Sequence, residues 1–177
     1  ITVRLICDEA RLNRRCIALV TTDLCGNYDR MVRKLTTVAT RAEGMPRNAA
    51  IAHVKTLRKM THRIKTKYGI STDSFKASPL LLLEGLGQGS GAAAKSWLST
   101  ERPITIAYQK ITDAGLLVTN PNGTKTFKQC KVGYVDDNKL LVELHQPDFS
   151  EIIGLEHLTH CIDTWSRLTD HSGGEIT

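Results

Sequence analysis

Short apolar runs along this chain alternate with longer stretches in which apolar side chains recur at helical spacing. CIALVTTD, residues 16–23, is β-rich and ends on an acid, which predicts a buried strand. Met31, Val32, Leu35, Val38 and Ala39 then recur on one helical face until Gly44 and Pro46 stop the pattern. A second helix is predicted from Arg47 to about Tyr68, with Ala50, Val54, Leu57 and Ile64 facing one way. GLGQGSGAAAKSW, residues 85–97, reads as a glycine-rich turn entering a helix that Pro103 interrupts soon after; TNPNGTK, residues 119–125, is a turn cluster. KVGYVDDNKLLVEL, residues 131–144, reads as a hairpin. Val132 and Tyr134 lie on one arm, Leu140, Leu141, Val142 and Leu144 on the other, and Asp136 and Asp137 at or near the turn. Ile152, Ile153, Leu155, Leu158, Ile162, Trp165 and Leu168 predict a last amphipathic helix over about 148–169, ended by SGG at 172–174.

Charge changes this picture more than bulk composition does. Residues 1–70 hold 15 Lys/Arg against 5 Asp/Glu, and residues 71–177 hold 9 against 13, so a half at +10 precedes a half at −4. Such a division fits one surface that holds a polyanion and another that concentrates carboxylates for metal. On the second predicted helix, Lys55, Arg58, Lys59 and Arg63 crowd the non-apolar positions. They form either a solvated face or a set of contacts to nucleic-acid phosphates. No run of about 18 apolar residues occurs, and the first residues carry acids and arginines where a signal peptide needs an apolar segment. The expectation is an intracellular chain of the cytoplasm or nucleus, neither secreted nor membrane-bound. The five cysteines form no CxxC pair, so buried or incidental thiols are expected rather than a disulfide framework or zinc site. At 177 residues the chain is long enough for the core of one domain or of one large subdomain, and a single domain is expected over 1–177.

An isolated Asp-Asp would be an ordinary solvated turn. Asp23 changes the weighing, because it too ends an apolar strand, and strands of one sheet can bring their ends together. Carboxylates converging from two strands make a hard-oxygen cage suited to Mg²⁺. Such a cage can hold two ions about 3.5–4 Å apart for an in-line phosphoryl displacement.

In that order, TTDLCGNYDRM at 21–31, GLGQGSG at 85–91 and GYVDD at 133–137 resemble motifs A, B and C of a reverse transcriptase palm. DTWSRLTDHSGG at 163–174 resembles the stretch after motif C in retrotransposon reverse transcriptases of the non-LTR, LINE-like type. The resemblance implies an α+β fold: a polymerase palm in which a small antiparallel sheet with a catalytic hairpin is backed by helices, with part of the fingers region at about 47–84. It also implies the activity of an RNA-directed DNA polymerase, a nucleotidyltransferase that adds deoxynucleoside triphosphates to a DNA primer on an RNA template. Two Mg²⁺ ions, or Mn²⁺ in their place, would be its cofactor.

Carried over residue by residue, the resemblance makes Asp23, Asp136 and Asp137 the catalytic metal ligands, with a share for the carbonyl of Leu24. Tyr28 matches the aromatic steric gate against a 2′-hydroxyl. Gln88 and Gly89 match the motif B pair that positions the template base and nucleotide, and Tyr134 and Val135 lie beside the primer strand and the acids. RNA-dependent RNA polymerases usually carry an acid at the position of Tyr28, so DNA synthesis is favoured. The sequence departs from the family pattern after Gly91, where Ala92, Ala93, Ala94 and Lys95 replace the usual Ser-Pro. That departure keeps open a fragment that binds nucleic acid without turnover. The rest of the fingers and the thumb are expected to belong to a longer polyprotein, so the fragment by itself is expected to be inactive.

Overall fold

The computed structural model describes residues 2–24, 27–76, 78, 85–86, 91–120, 122–134, 137–144, 151–174 and 176. Its elements run α1 (Thr2–Leu12), β1 (Ile17–Thr22), α2 (Asn27–Arg30), α3 (Arg33–Ala42), α4 (Arg47–Lys59), β2 (Thr61–His62), β3 (Lys65–Thr66), β4 (Gly69–Ile70) and β5 (Phe75–Lys76). They continue with α5 (Ala93–Thr112), β6 (Leu116–Thr119), β7 (Thr126–Gln129), β8 (Lys131–Tyr134), β9 (Asp137–Glu143) and α6 (Glu151–Ser172). The architecture is α+β, with small antiparallel sheets and helices, and the chain divides into two compact units: residues 1–26 with 101–177, and residues 27–100.

In the first unit the sheet order is β1-β9-β8, both pairings antiparallel. Ile17 faces Glu143 and Thr22 faces Asn138 across one pairing; Lys131 faces Leu140 and Tyr134 faces Asp137 across the other. Alternation of side chains then gives the sheet two faces. Ala18, Val20, Leu140 and Val142 pack with Ile104 and Tyr108 of α5 and with Cys161 and Trp165 of α6. Ile17, Leu141 and Val132 point the other way and pack with Ile6 and Ala10 of α1 and Leu116 and Val118 of β6. Coverage of that second face is partial, for Leu19 is 38% exposed, so β1 is half-buried where its apolar run predicts full burial. On α6 the buried stripe runs through Gly154, Cys161, Trp165 and Thr169, whereas Ile152 and Leu155 face out. Gly173 and Gly174 close the helix by donating to the carbonyls of Asp170 and Thr169.

Several sequence expectations are corrected. The N-terminal arginines hide α1, whose only fully buried side chains, Ile6 and Ala10, lie one turn apart. The turn at 119–125 joins two strands, β6 and β7, that the pattern did not predict. In the second unit α4 stops at Lys59 rather than near Tyr68, and residues 61–76 form nested hairpins, with β2 on β5 and β3 on β4. The β-branched and aromatic residues Thr61, Ile64, Thr66, Tyr68 and Ile70 suit extended backbone, and Gly69 takes φ +137° between them. On α3 the buried residues are Thr36, Ala39 and Thr40, while Val38 is exposed. The hydroxyls of Thr36 and Thr40 donate to the carbonyls one turn back, and that of Thr100 donates to the hydroxyl of Thr36, so threonine packs here as a satisfied core residue. Pro103 does not interrupt α5, which runs from Ala93 to Thr112. An interior proline costs about 3 kcal/mol, and α5 nonetheless runs through it, with Ile104 and Tyr108 beyond it packed in the core.

Cys7, Cys16, Cys130 and Cys161 carry free thiols; Cys130 and Cys161 are buried, but Cys16 is exposed. No helix among the described residues is long and apolar enough to cross a membrane.

Candidate functional site

The register of the central sheet decides where the acids lie. Its β1–β9 ladder ends at Thr22 opposite Asn138, so Asp23 and Asp137, the next residue along each chain segment, stand at the same end of the sheet. Both carboxylates are exposed. Tyr134 pairs with Asp137, so two residues, Val135 and Asp136, connect β8 to β9. Those two lie outside the described residues, as do Gln88, Gly89 and the side chain of Tyr134. Leu24, only 2% exposed, is a packing anchor whose backbone forms a bridge with Ile176. Among the described residues no group of three or more His, Cys, Asp or Glu side chains is suited to a metal ion. Asp23 and Asp137 nonetheless supply exposed carboxylates at one end of the sheet, the donor chemistry that Mg²⁺ takes.

In the second unit, the residues after Asp23 and the glycine loop are tied together by backbone. Leu86 N–H donates to the carbonyl of Tyr28 at 2.6 Å, Gly85 N–H to that of Met31 at 2.9 Å, and Arg33 Nε to that of Gly85 at 2.7 Å. Gly85 sits at φ +91°, and a Cβ there would lie 2.3 Å from the carbonyl oxygen of Asp29. Only glycine fits so close an approach. The short helix α2 therefore holds Tyr28 half-buried, with its main chain fixed by the loop that opens GLGQGSG.

Behind the hairpin, on the face that α5 and α6 cover, lies a polar cluster that sequence reasoning missed. Lys131 Nζ pairs with Glu101 Oε1, their side chains 7% and 9% exposed, and donates to Asn138 Oδ1 at 2.6 Å. The same ammonium lies 5.4 Å from the centre of the Trp165 ring. Burial pushes the Lys131 ammonium below its ordinary range, while the Glu101 carboxylate pulls it back up. Gly133 belongs to this cluster through the side chain it lacks: a Cβ there would lie 2.5 Å from Asn138 Oδ1 and 2.6 Å from Lys131 Nζ. Strand alternation could have placed Lys131 on the Leu140 face, but no local signal names Glu101, 30 residues away.

Lys55, Arg58 and Lys59 line the outside of α4, and Arg63 stands beyond it on the following hairpin. All four are exposed, and none is ion-paired with an acid among the described residues. Ile64, expected on the apolar face of that helix, is 61% exposed.

No protein-family model matches this chain, and no curated protein matches it. Among solved structures it is similar to the apo telomerase of Candida tropicalis truncated from its C-terminal domain, with a TM-score of 0.54 and 14% identity. The match covers 99% of this chain and 32% of that one, so the chain spans about a third of the length of the telomerase it resembles. The likeness is one of fold alone.

Proposed function

We propose that this chain is the palm of an RNA-directed DNA polymerase from a non-LTR-like retroelement, working within a longer protein. The observation that carries this reading is the meeting of Asp23 and Asp137 at one end of the β1-β9-β8 sheet. The telomerase-like fold and the motif order support it. Directly opposed residues of an antiparallel pair have Cβ atoms about 4.5–5.5 Å apart, a separation at which two carboxylates can share a cation.

Asp23, Asp136 and Asp137 would hold the divalent ions, with a share for the carbonyl of Leu24. When bound, Mg²⁺, or Mn²⁺ in its place, would make the primer 3′-hydroxyl a better nucleophile and neutralise charge on the departing phosphates. The 3′-oxygen bonds to the α-phosphorus and its proton passes to solvent. The bond from that phosphorus to the bridging oxygen breaks, and pyrophosphate leaves with the electron pair. Tyr28 closes the space a 2′-hydroxyl would need. Gln88 and Gly89 position the template base and nucleotide, and Tyr134 and Val135 lie beside the primer end. Lys55, Arg58, Lys59 and Arg63 meet phosphates of the nucleic acid.

Metal-dependent primer extension by the full-length protein tests the reading: Asp23→Asn and Asp136→Asn should each abolish synthesis. Salt-dependent binding with no incorporation by the unaltered protein would instead favour the non-catalytic alternative, which the run Ala92–Ala94 also suits. Tyr28→Val should raise ribonucleotide relative to deoxynucleotide use by about tenfold for each 1.4 kcal/mol of overlap relieved. The measurement is the ratio of the two kcat/KM values. An unchanged ratio with activity retained would make Tyr28 a packing residue.

A further inference from the structure

We propose that the buried Lys131–Glu101 pair, joined to Asn138, is a positioning device that fixes the end of the β8–β9 hairpin and, through it, the placement of Asp137 beside Asp23. The inference rests on the polymerase reading for its purpose, but its geometry is independent of that reading. Asn138 is fully buried and occupies the middle strand, where its backbone faces Thr22 on β1 and Gly133 on β8. Its chain neighbour is Asp137, and that of Thr22 is Asp23. Whatever holds Asn138 therefore holds both acid-bearing ends.

The side-chain oxygen of Asn138 is held by Lys131. The side chain of Lys131 starts two residues before Gly133 on the same face and its ammonium fills the space over that glycine, touching Asn138 Oδ1 on one side and Glu101 on the other. Glu101 stands on α5, which packs on the sheet through Ile104 and Tyr108. The hairpin is thereby anchored to a helix by charge rather than by packing alone. A stabilising role does not account for this choice, because desolvating two charges is costly and an apolar pair of similar volume is often as stable or more so. Charge-assisted hydrogen bonds are directional, and direction is what a turn bearing metal ligands requires. The cluster also gives a reason for Gly133: any larger side chain would push the ammonium and the amide apart.

The experiment compares the full-length protein with its Lys131→Met/Glu101→Met variant, which removes both charges and keeps much of the volume. Amide hydrogen exchange is read at Tyr134, Asp137 and Asn138 without metal, and Mn²⁺ binding is read by electron paramagnetic resonance without nucleotide. The expected result is an unchanged thermal midpoint, exchange at Asp137 and Asn138 faster by at least tenfold, and Mn²⁺ affinity weaker by about tenfold. Primer extension should lose kcat, with the nucleotide KM within twofold. A folded variant whose exchange at Asp137 and Asn138 stays within twofold of the unaltered protein overturns the proposal. Should the double variant not fold, Asn138→Leu, which keeps the ion pair but cuts its link to β9, is read by the same criteria. Exchange needs neither metal nor nucleotide, so it decides the positioning role even where the unaltered protein incorporates nothing. That last outcome would count against the polymerase reading alone.

Discussion

Two groups of charged side chains in this protein have opposite surroundings. Behind the β8–β9 hairpin, Lys131 and Glu101 are almost wholly withdrawn from water. On α4 and the hairpins after it, Lys55, Arg58, Lys59, Arg63, Lys65 and Lys67 are all exposed. A charge taken out of water is held by its partner and constrains the backbone that carries both, whereas a charge left in water constrains little and stays available to an outside anion. The same residue type thus orders the fold in one unit and offers a surface in the other.

The largest effect should come from separating the buried pair. Glu101→Ala leaves the Lys131 ammonium buried with, among the described residues, Asn138 and the Trp165 ring beside it. Losing one partner of such a pair costs about 3–5 kcal/mol. Denaturant unfolding measures it, and a loss under about 1 kcal/mol would mean that Lys131 finds other solvation and that the two groups differ less than the structure implies.

A smaller effect concerns acids buried in the same core. Burial pushes the Cys130 and Cys161 thiols and the Tyr108 phenol above their ordinary values. The folded state then binds these protons more tightly than the unfolded chain. Their contribution to stability is complete below the ordinary thiol value of 9.0 and is lost as pH rises from there through the folded values. Each thiol contributes a slope of up to about 1.4 kcal/mol per pH unit in that window. Unfolding free energy followed from pH 8 to 11, a range of about three units chosen to span the transition, should fall in the unaltered protein and fall less in Cys130→Ala/Cys161→Ala. Equal slopes would show that the thiols are not the groups that titrate.

The exposed group should have the smallest effect on folding. Replacing Lys55, Arg58, Lys59 and Arg63 together by alanine should leave the thermal midpoint essentially unchanged. If each meets a phosphate, the slope of log K against log salt for nucleic-acid binding should fall by about 3 to 4, at about 0.7–0.9 per contact. An unchanged slope would make that surface a solvated one and remove the contrast in function, though not the contrast in burial.

Alternation of apolar residues and a tight turn made the 131–144 hairpin legible in the sequence, and helical spacing did the same for α3, the start of α4 and α6. Charged residues were less legible. Arg4, Arg11, Arg14 and Arg15 masked α1 because few of its positions need be apolar to seat it on a sheet already packed from its other face. The lysines after Lys59 suit a helix, but α4 ends at Lys59 and the β-branched residues beyond it take extended backbone. Threonine as core at Thr36 and Thr40 is not legible in the sequence, since only a structure shows that its hydroxyl has a local acceptor.

The sequence by itself determined which acids are candidates, because Asp23 and Asp136-Asp137 flank apolar runs of the sequence, and a residue's chemistry and its place in a local period are local properties. Only the tertiary structure decided that Asp23 and Asp137 stand at one sheet end, that Tyr28 is laced to Gly85 and Leu86 by backbone, and that Lys131 is an interior residue bound to Glu101. Pairing across the sheet and burial of a charge are set by partners distant in sequence, and one chain read along its length carries no measure of which distant partner will be near.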